Sequence, residues 1–168
     1  MANYKKKFAK LYDKYVDKIY RFVFLKVSSQ EIAEDLTGQV FAKGWGRISK
    51  TKNQKQIENV PAYLYQIARA EIANYYRDKA KFQTIQATTD QIADPGVGLE
   101  EKSKLDSDFE TVRACLPQLK EDYQDVLIWR YLDDYSNKEI GRMLRKSEGA
   151  VRVMIHRALK ELREKMEQ

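Results

Sequence analysis

The sequence holds a single cysteine, Cys115, and a single histidine, His156. One cysteine excludes an intramolecular disulfide and any multi-cysteine metal site, and it fits a reducing compartment. One histidine leaves a His-based triad or a metal cluster without a second member. Cys115 lies on an apolar helical stripe and reads as core rather than nucleophile. A glycine-rich phosphate loop of the P-loop type is absent, and the plentiful carboxylates form no recognisable acid/base pair. The expectation is therefore a non-enzyme with no cofactor, no bound metal and no small-molecule substrate. Long apolar runs are missing too: FVFL at residues 22–25 is far short of the roughly 20 residues a spanning helix needs. The basic opening MANYKKKFAKLY lacks the apolar stretch of a secretory signal. A soluble, cytoplasmic chain without membrane insertion is expected.

What is present is charge on an apolar framework. Charged residues make up 33% of the 168 and apolar residues 43%, which rules out wholesale disorder. The net charge of +6 favours an anionic partner, and both a nucleic acid and a membrane surface satisfy that sign. The charge is unevenly placed. Residues 1–82 carry 17 Lys/Arg against 8 Asp/Glu, a net of +9. Residues 83–110 carry 2 against 7, a net of −5, and residues 111–168 carry 12 against 10, a net of +2. The acidic segment includes TTDQIADPGVG, where proline and glycine punctuate a stretch without periodicity. Two lobes, 1–82 and 105–168, joined by a flexible acidic linker over 83–104, are expected.

Both lobes read as helical, so the fold class is all-α. In the first, Phe8, Leu11, Tyr12, Tyr15, Ile19, Phe22 and Val23 recur at spacings of three and four. Ser28 and Glu31 have capping-box spacing before Ile32, Leu36, Val40 and Phe41. Pro61 suits a first helical position, followed by Leu64, Ile67, Ala68, Ile72 and Tyr75 on a helix to about Lys81. In the second, one helix through Leu105, Phe109, Val112 and Leu116 stops at Pro117. Another runs through Leu119, Tyr123, Val126, Leu127 and Tyr131. Ser136 and Glu139 open a short helix, and Ser147 caps a last one with Val151, Ile155, Ala158, Leu159 and Leu162 inward.

Two patterns point to nucleic acid. A short capped helix, a turn of about three residues and a longer helix with a polar outer face form a helix-turn-helix, whose second helix enters the DNA major groove. Ser147, Glu148, Arg152, His156 and Arg157 then face outward, where bases and phosphates are reached. An amphipathic helix whose charges are merely solvated gives the same pattern. In AYLYQIARAEIANYYRDKAK, Tyr63, Tyr65, Tyr75 and Tyr76 interleave with Arg69, Arg77, Lys79 and Lys81. Rings stack on unpaired bases while cations follow phosphates, a mixture suited to single strands. A plain helix with Tyr75 in the core and its cations favourably placed at the C-terminal end is, for this pattern alone, the stronger reading.

Taken in order, EIAEDLTGQVFAKGW, AYLYQIARAEIANYYRDKAK and the segment from LPQLKEDYQDV to HRALKELR resemble a bacterial RNA polymerase sigma factor of the extracytoplasmic-function group. The resemblance implies core RNA polymerase and promoter DNA as partners, with an anti-sigma factor as a possible regulator. It puts Asp35, Leu36, Gln39 and Phe41 at the polymerase clamp. Arg69, Asn74 and Arg77, with Lys52, Asn53 and Lys55 in the basic loop, fall where the melted minus-ten strand is held. Ser147, Glu148, Arg152, His156 and Arg157 fall on the minus-thirty-five reading surface. Gly38 and Gln39 stand where the family usually has Gln-Glu, Ala70 replaces a common Asn, and Met154 replaces a frequent Arg. Arg145 and Lys146 occupy a turn where glycine and an apolar residue are usual. A helix-turn-helix regulator acting without polymerase, or a helical adaptor or anti-sigma-like interaction protein, are the other readings.

Overall fold

The structure, a computed structural model, describes the backbone of residues 2–50, 59–86 and 104–168 and the side chains of 5–47, 59–83 and 110–168. The described residues are helical, without a strand. The chain divides into two compact units, Met1–Leu99 and Glu100–Gln168. The expected linker falls mostly on 87–103, outside the described residues, as do Lys52, Asn53 and Lys55 and the side chains of Leu105 and Phe109.

The first unit packs three long helices on one another, α1 (Ala2–Val27), α2 (Gln30–Lys50) and α3 (Val60–Gln86). Their apolar stripes meet in a core of Ile19, Phe22 and Val23 from α1, Ala33, Val40 and Phe41 from α2, and Leu64, Tyr65 and Ala68 from α3. Aromatic pairs knit it together: Phe22 meets Tyr65 edge-on at 5.1 Å, Tyr12 meets Phe41 at 5.0 Å and Phe8 meets Trp45 at 4.8 Å. The junction of α1 and α2 differs by one residue from its expected form. Ser28 is left-handed, φ 57°, and its N–H closes α1 on the Phe24 carbonyl at 2.8 Å. It therefore ends one helix and cannot take the extended backbone of an N-cap. Ser29 caps α2 instead, its Oγ accepting from the Ile32 N–H at 3.4 Å. At α3 the cap is Asn59, whose Oδ1 accepts from the Ala62 N–H at 3.0 Å. Pro61 is thus the second helical residue, still in the first turn, where no intrahelical partner for its nitrogen is needed. The helix continues five residues past Lys81.

The second unit gathers α4 (Lys104–Cys115), α5 (Glu121–Leu127) and α6 (Asn137–Leu144) around α7 (Glu148–Met166). Pro117 sits in a 3₁₀ turn, Leu116–Gln118, that ends α4. Beyond α5 the expected regular helix widens into a π-helical segment, Ile128–Leu132, in which the Asp133 N–H bonds the Ile128 carbonyl at 3.1 Å. The wider turn advances the chain less per residue in angle, so Ile128 and Trp129 stay in the core. Tyr131, expected on the inward stripe, is rotated out and is 55% exposed.

Between α6 and α7 the backbone is tightly specified. Ser136 and Glu139 form a full capping box, with bonds of 3.1 and 3.2 Å. Arg145 ends α6 in the left-handed region, φ 57° and ψ 44°. The Lys146 N–H reaches back to the Gly141 carbonyl at 2.8 Å, the six-to-one bond of a Schellman end. Ser147 then caps α7, accepting from the Ala150 N–H at 3.1 Å. Gly141 is where the turn folds back onto α6: a Cβ there would stand 2.6 Å from the Lys146 carbonyl oxygen. Nothing in the periodicity of the sequence singled this glycine out.

Two substitutions test this turn by opposite signs, read from urea unfolding of the Trp45→Phe chain, in which buried Trp129 reports the second unit. Gly141→Ala should cost about 2 kcal/mol, because the obstacle is backbone and cannot swing away. Arg145→Gly should add about 1 kcal/mol by removing the left-handed penalty on a side-chain-bearing residue.

Candidate nucleic-acid interface

The outward face of α7 is built by the burial of its inward one. Val151, Ile155 and Ala158 are buried against the rest of the unit, and Leu159 and Leu162 are half-buried. Ser147, Glu148, Arg152, His156 and Arg157 are all exposed, so the five expected positions share the solvent side of this helix and its cap. Arg152 and Glu148 pair at 3.5 Å across one helical turn, with both side chains mostly in water. Such a pair is worth a few tenths of a kcal/mol and releases Arg152 readily to a stronger acceptor. Arg157 borders a shallow cleft with Tyr123, Lys160, Glu161 and Lys165. Met154 is half-buried, on the flank of the face. Val153, absent from the expected set, is exposed in the middle of it.

On α3 the expected residues separate. Asn74 and Arg77, one turn apart, are exposed with Ala70, Ala73 and Lys81, whereas Arg69 is half-buried. Of the tyrosines, Tyr75, expected on the inward stripe, is half-buried. Tyr65 is the core residue, 1% exposed beneath Phe22, because it continues the stripe of Leu64, Ala68 and Ile72. It is withdrawn from any stacking role. Tyr63 is half-buried under the Arg47 guanidinium, 5.5 Å from its ring centre. Tyr76 is 44% exposed, and its hydroxyl donates to the Lys26 carbonyl at the end of α1. Burial pushes the Tyr76 phenol above its ordinary value, and the neighbouring Tyr75 adds to the rise. It therefore keeps its proton throughout the neutral range and remains a donor. Phe82, not singled out by the sequence, is exposed among Lys79 and Lys81.

On α2, Asp35 and Gln39 are exposed, but Leu36 and Phe41 are buried, Phe41 at 2%. The latter two side chains pack into the bundle and hold α2 against it. Gly38 lies on the exposed side with open space where a Cβ would be. Its absent side chain leaves backbone uncovered beside Asp35, Gln39 and Ala42. Lys43 pairs with buried Glu71 of α3, locking the crossing of the two helices. Among the described residues no group of three His, Cys, Asp or Glu side chains could hold a metal ion, and no helix is long and apolar enough to cross a membrane.

Comparison with known proteins agrees with this arrangement. The family model for sigma-70 region 2 matches residues 11–82, and that for sigma-70 region 4 matches residues 109–162. The chain is 31% identical over 165 residues to RNA polymerase sigma factor YlaC of Bacillus subtilis, covering 93% of this chain and 90% of that protein. It is 29% identical over 160 residues to ECF RNA polymerase sigma factor BldN of Streptomyces coelicolor, covering 92% of this chain but only 58% of that longer protein. In fold it is similar to the sigma factor RpoE solved with the anti-sigma factor NepR from Bartonella quintana. The TM-score is 0.68 at 18% identity, over 96% of this chain and 98% of that one. Two helical units matched in order by regions 2 and 4, with a helix-turn-helix in the second, belong to one kind of protein, and this chain is a member of the sigma-70 family of RNA polymerase sigma factors, in its extracytoplasmic-function group.

Proposed function

We propose that the chain binds core RNA polymerase and directs it to promoters, reading the minus-thirty-five element with α7 and holding melted minus-ten bases on α3. The observation that carries this reading is the exposed cationic face of α7 behind a fully capped turn, in a chain matched by regions 2 and 4 in that order. Arg152 and Arg157 have the forked donors that suit guanine edges and phosphates, and His156 and Ser147 add short-range hydrogen bonding. Asn74 and Arg77 are assigned to the single-strand surface, together with Lys52, Asn53 and Lys55 from outside the described residues, and Phe82 adds an exposed ring. Arg69 supports that surface from the side. Opening each base step costs about 1–2 kcal/mol of lost stacking, and stacking on a side chain returns a similar amount per base. A short melted element is therefore within reach of this helix.

The polymerase contact is assigned to Asp35 and Gln39 on the exposed face of α2, with Leu36 and Phe41 holding the helix in position beneath. Bond-making chemistry belongs to the polymerase, and this chain contributes placement. An anti-sigma factor is a further partner in this reading, supported by the RpoE–NepR complex. Run-off transcription with purified core polymerase on a genomic promoter pool tests the whole reading: discrete start sites appear only when the chain is added. Transcripts identical with and without it would reject the proposal.

Arg152→Ala should lower initiation from a cognate promoter about 5- to 150-fold, the loss of roughly 1–3 kcal/mol for one bidentate contact, with unfolding unchanged because the side chain is exposed. Asp35→Arg should weaken co-purification with core polymerase while leaving the thermal unfolding of the second unit unaltered. Equal recovery of mutant and parent would remove Asp35 from the contact.

A further inference from the structure

Val153 is an unusual residue for the place it occupies. At 3.6 residues per turn it lies roughly 200° around α7 from Val151, directly opposite the buried line of Val151, Ile155 and Ala158. That makes it the midline of the outward face. It is 48% exposed, and the other exposed large apolar side chain of α7, Met166, sits at the helix's far end. Three cations and one imidazole surround it: Arg152 precedes it, His156 and Arg157 follow one turn later, and Lys160 continues the midline two turns on. One turn before it stands Gly149, where a Cβ would find nothing within 4 Å. Gly149 therefore puts no side chain of its own over the valine.

A major groove offers such a side chain one complementary feature. Every base edge in the groove presents hydrogen-bond donors or acceptors, which valine cannot use, and thymine alone adds a C5-methyl group. Valine has two methyls on a stiff χ1, so its apolar surface is held in place without loss of further freedom. The surrounding cations bring the phosphates of the same groove to either side, which supplies the charge complementarity for that occupant. A polar residue at the midline would select by hydrogen bonds; an exposed valine selects by shape and by exclusion of water.

We infer that Val153 is a specificity-determining residue that reads the methyl group of a thymine in the minus-thirty-five element. The inference rests on the reading that α7 enters the major groove, and it adds a base preference that none of the charged residues supplies. Removing that methyl leaves base pairing intact and exposes about one methyl-sized apolar group, which corresponds to about a fourfold loss in affinity. Val153→Ser forfeits the same contact and should show no further loss when the methyl is also removed. Its fold is preserved, because the side chain stands half in water outside the buried core.

The test uses holoenzyme reconstituted from core polymerase and the full chain on a cognate promoter. Each thymine of the minus-thirty-five element, on both strands, is replaced in turn by deoxyuridine, and open-complex formation is titrated for the parent, Val153→Ser and Arg152→Ala. One deoxyuridine position is expected to weaken the parent about fourfold and to leave Val153→Ser unchanged, while Arg152→Ala is weaker on every template and keeps the deoxyuridine effect. A flat scan, an element with no thymine, or an equal loss in parent and Val153→Ser overturns the assignment of Val153. If Arg152→Ala and Val153→Ser both bind like the parent, the placement of α7 itself fails, and the two failures are thereby told apart.

Discussion

The second unit depends on the approach of two backbone segments at Gly141. The Lys146 carbonyl lies where a side chain at 141 would begin, at 2.6 Å from an ideal Cβ. The Lys146 N–H at the same time bonds the Gly141 carbonyl. The turn is thus pressed against the helix it leaves, and three residues suffice to redirect the chain into α7. Because Ile140 and Val151, on either side of the turn, are both wholly buried, the contact also fixes the rotation of α7 about its own axis. That rotation decides which side chains face water. Arg145 takes a left-handed conformation at an energetic cost, and the bonds of the Schellman end and of the two serine caps offset it.

The first unit uses one helix for two purposes. The inner side of α3, with Leu64, Tyr65, Ala68 and Ile72, is part of the bundle's core, and the outer side presents Asn74 and Arg77. Two polar links stiffen it against its neighbours, the Lys43–Glu71 pair to α2 and the Tyr76 hydroxyl on the Lys26 carbonyl of α1. On the proposed reading of α3 as a single-strand surface, such rigidity means that less order has to be imposed at the moment of binding.

The long stripes at spacings of three and four were legible in the sequence apart from Tyr12 and Tyr131, which are exposed, because burial of one helical face is the strongest demand the fold makes. The core of Ile19, Phe22, Val23, Leu64 and Ala68, the capping box at Ser136 and the cap at Ser147 all follow from it. What escaped lies below the resolution of periodicity. Ser28 and Ser29 offer the same hydroxyl, and only the left-handed end of α1 decides between them. Tyr131 left the inward stripe because a π turn changed the angle per residue. Leu36 and Phe41 carry the right spacing for a contact helix yet are spent on packing. Gly141 was invisible because a close approach of backbone to backbone leaves no pattern in a single chain, whereas Val153 was missed although the inward spacing of Val151, Ile155 and Ala158 already turns it outward. Lys52, Asn53 and Lys55 lie outside the described residues.

In the proposed function one chain carries two nucleic-acid surfaces of different kinds, one for duplex and one for unpaired strand, and both are used only on the polymerase. Footprinting of a single promoter with the chain alone, core polymerase alone and both together, by nuclease protection and by permanganate reactivity of unpaired thymines, measures this directly. Two separate protected elements, with reactive thymines only at the downstream one and only in the combined sample, are predicted. Full protection by the isolated chain, or a single protected element without strand opening, would contradict it.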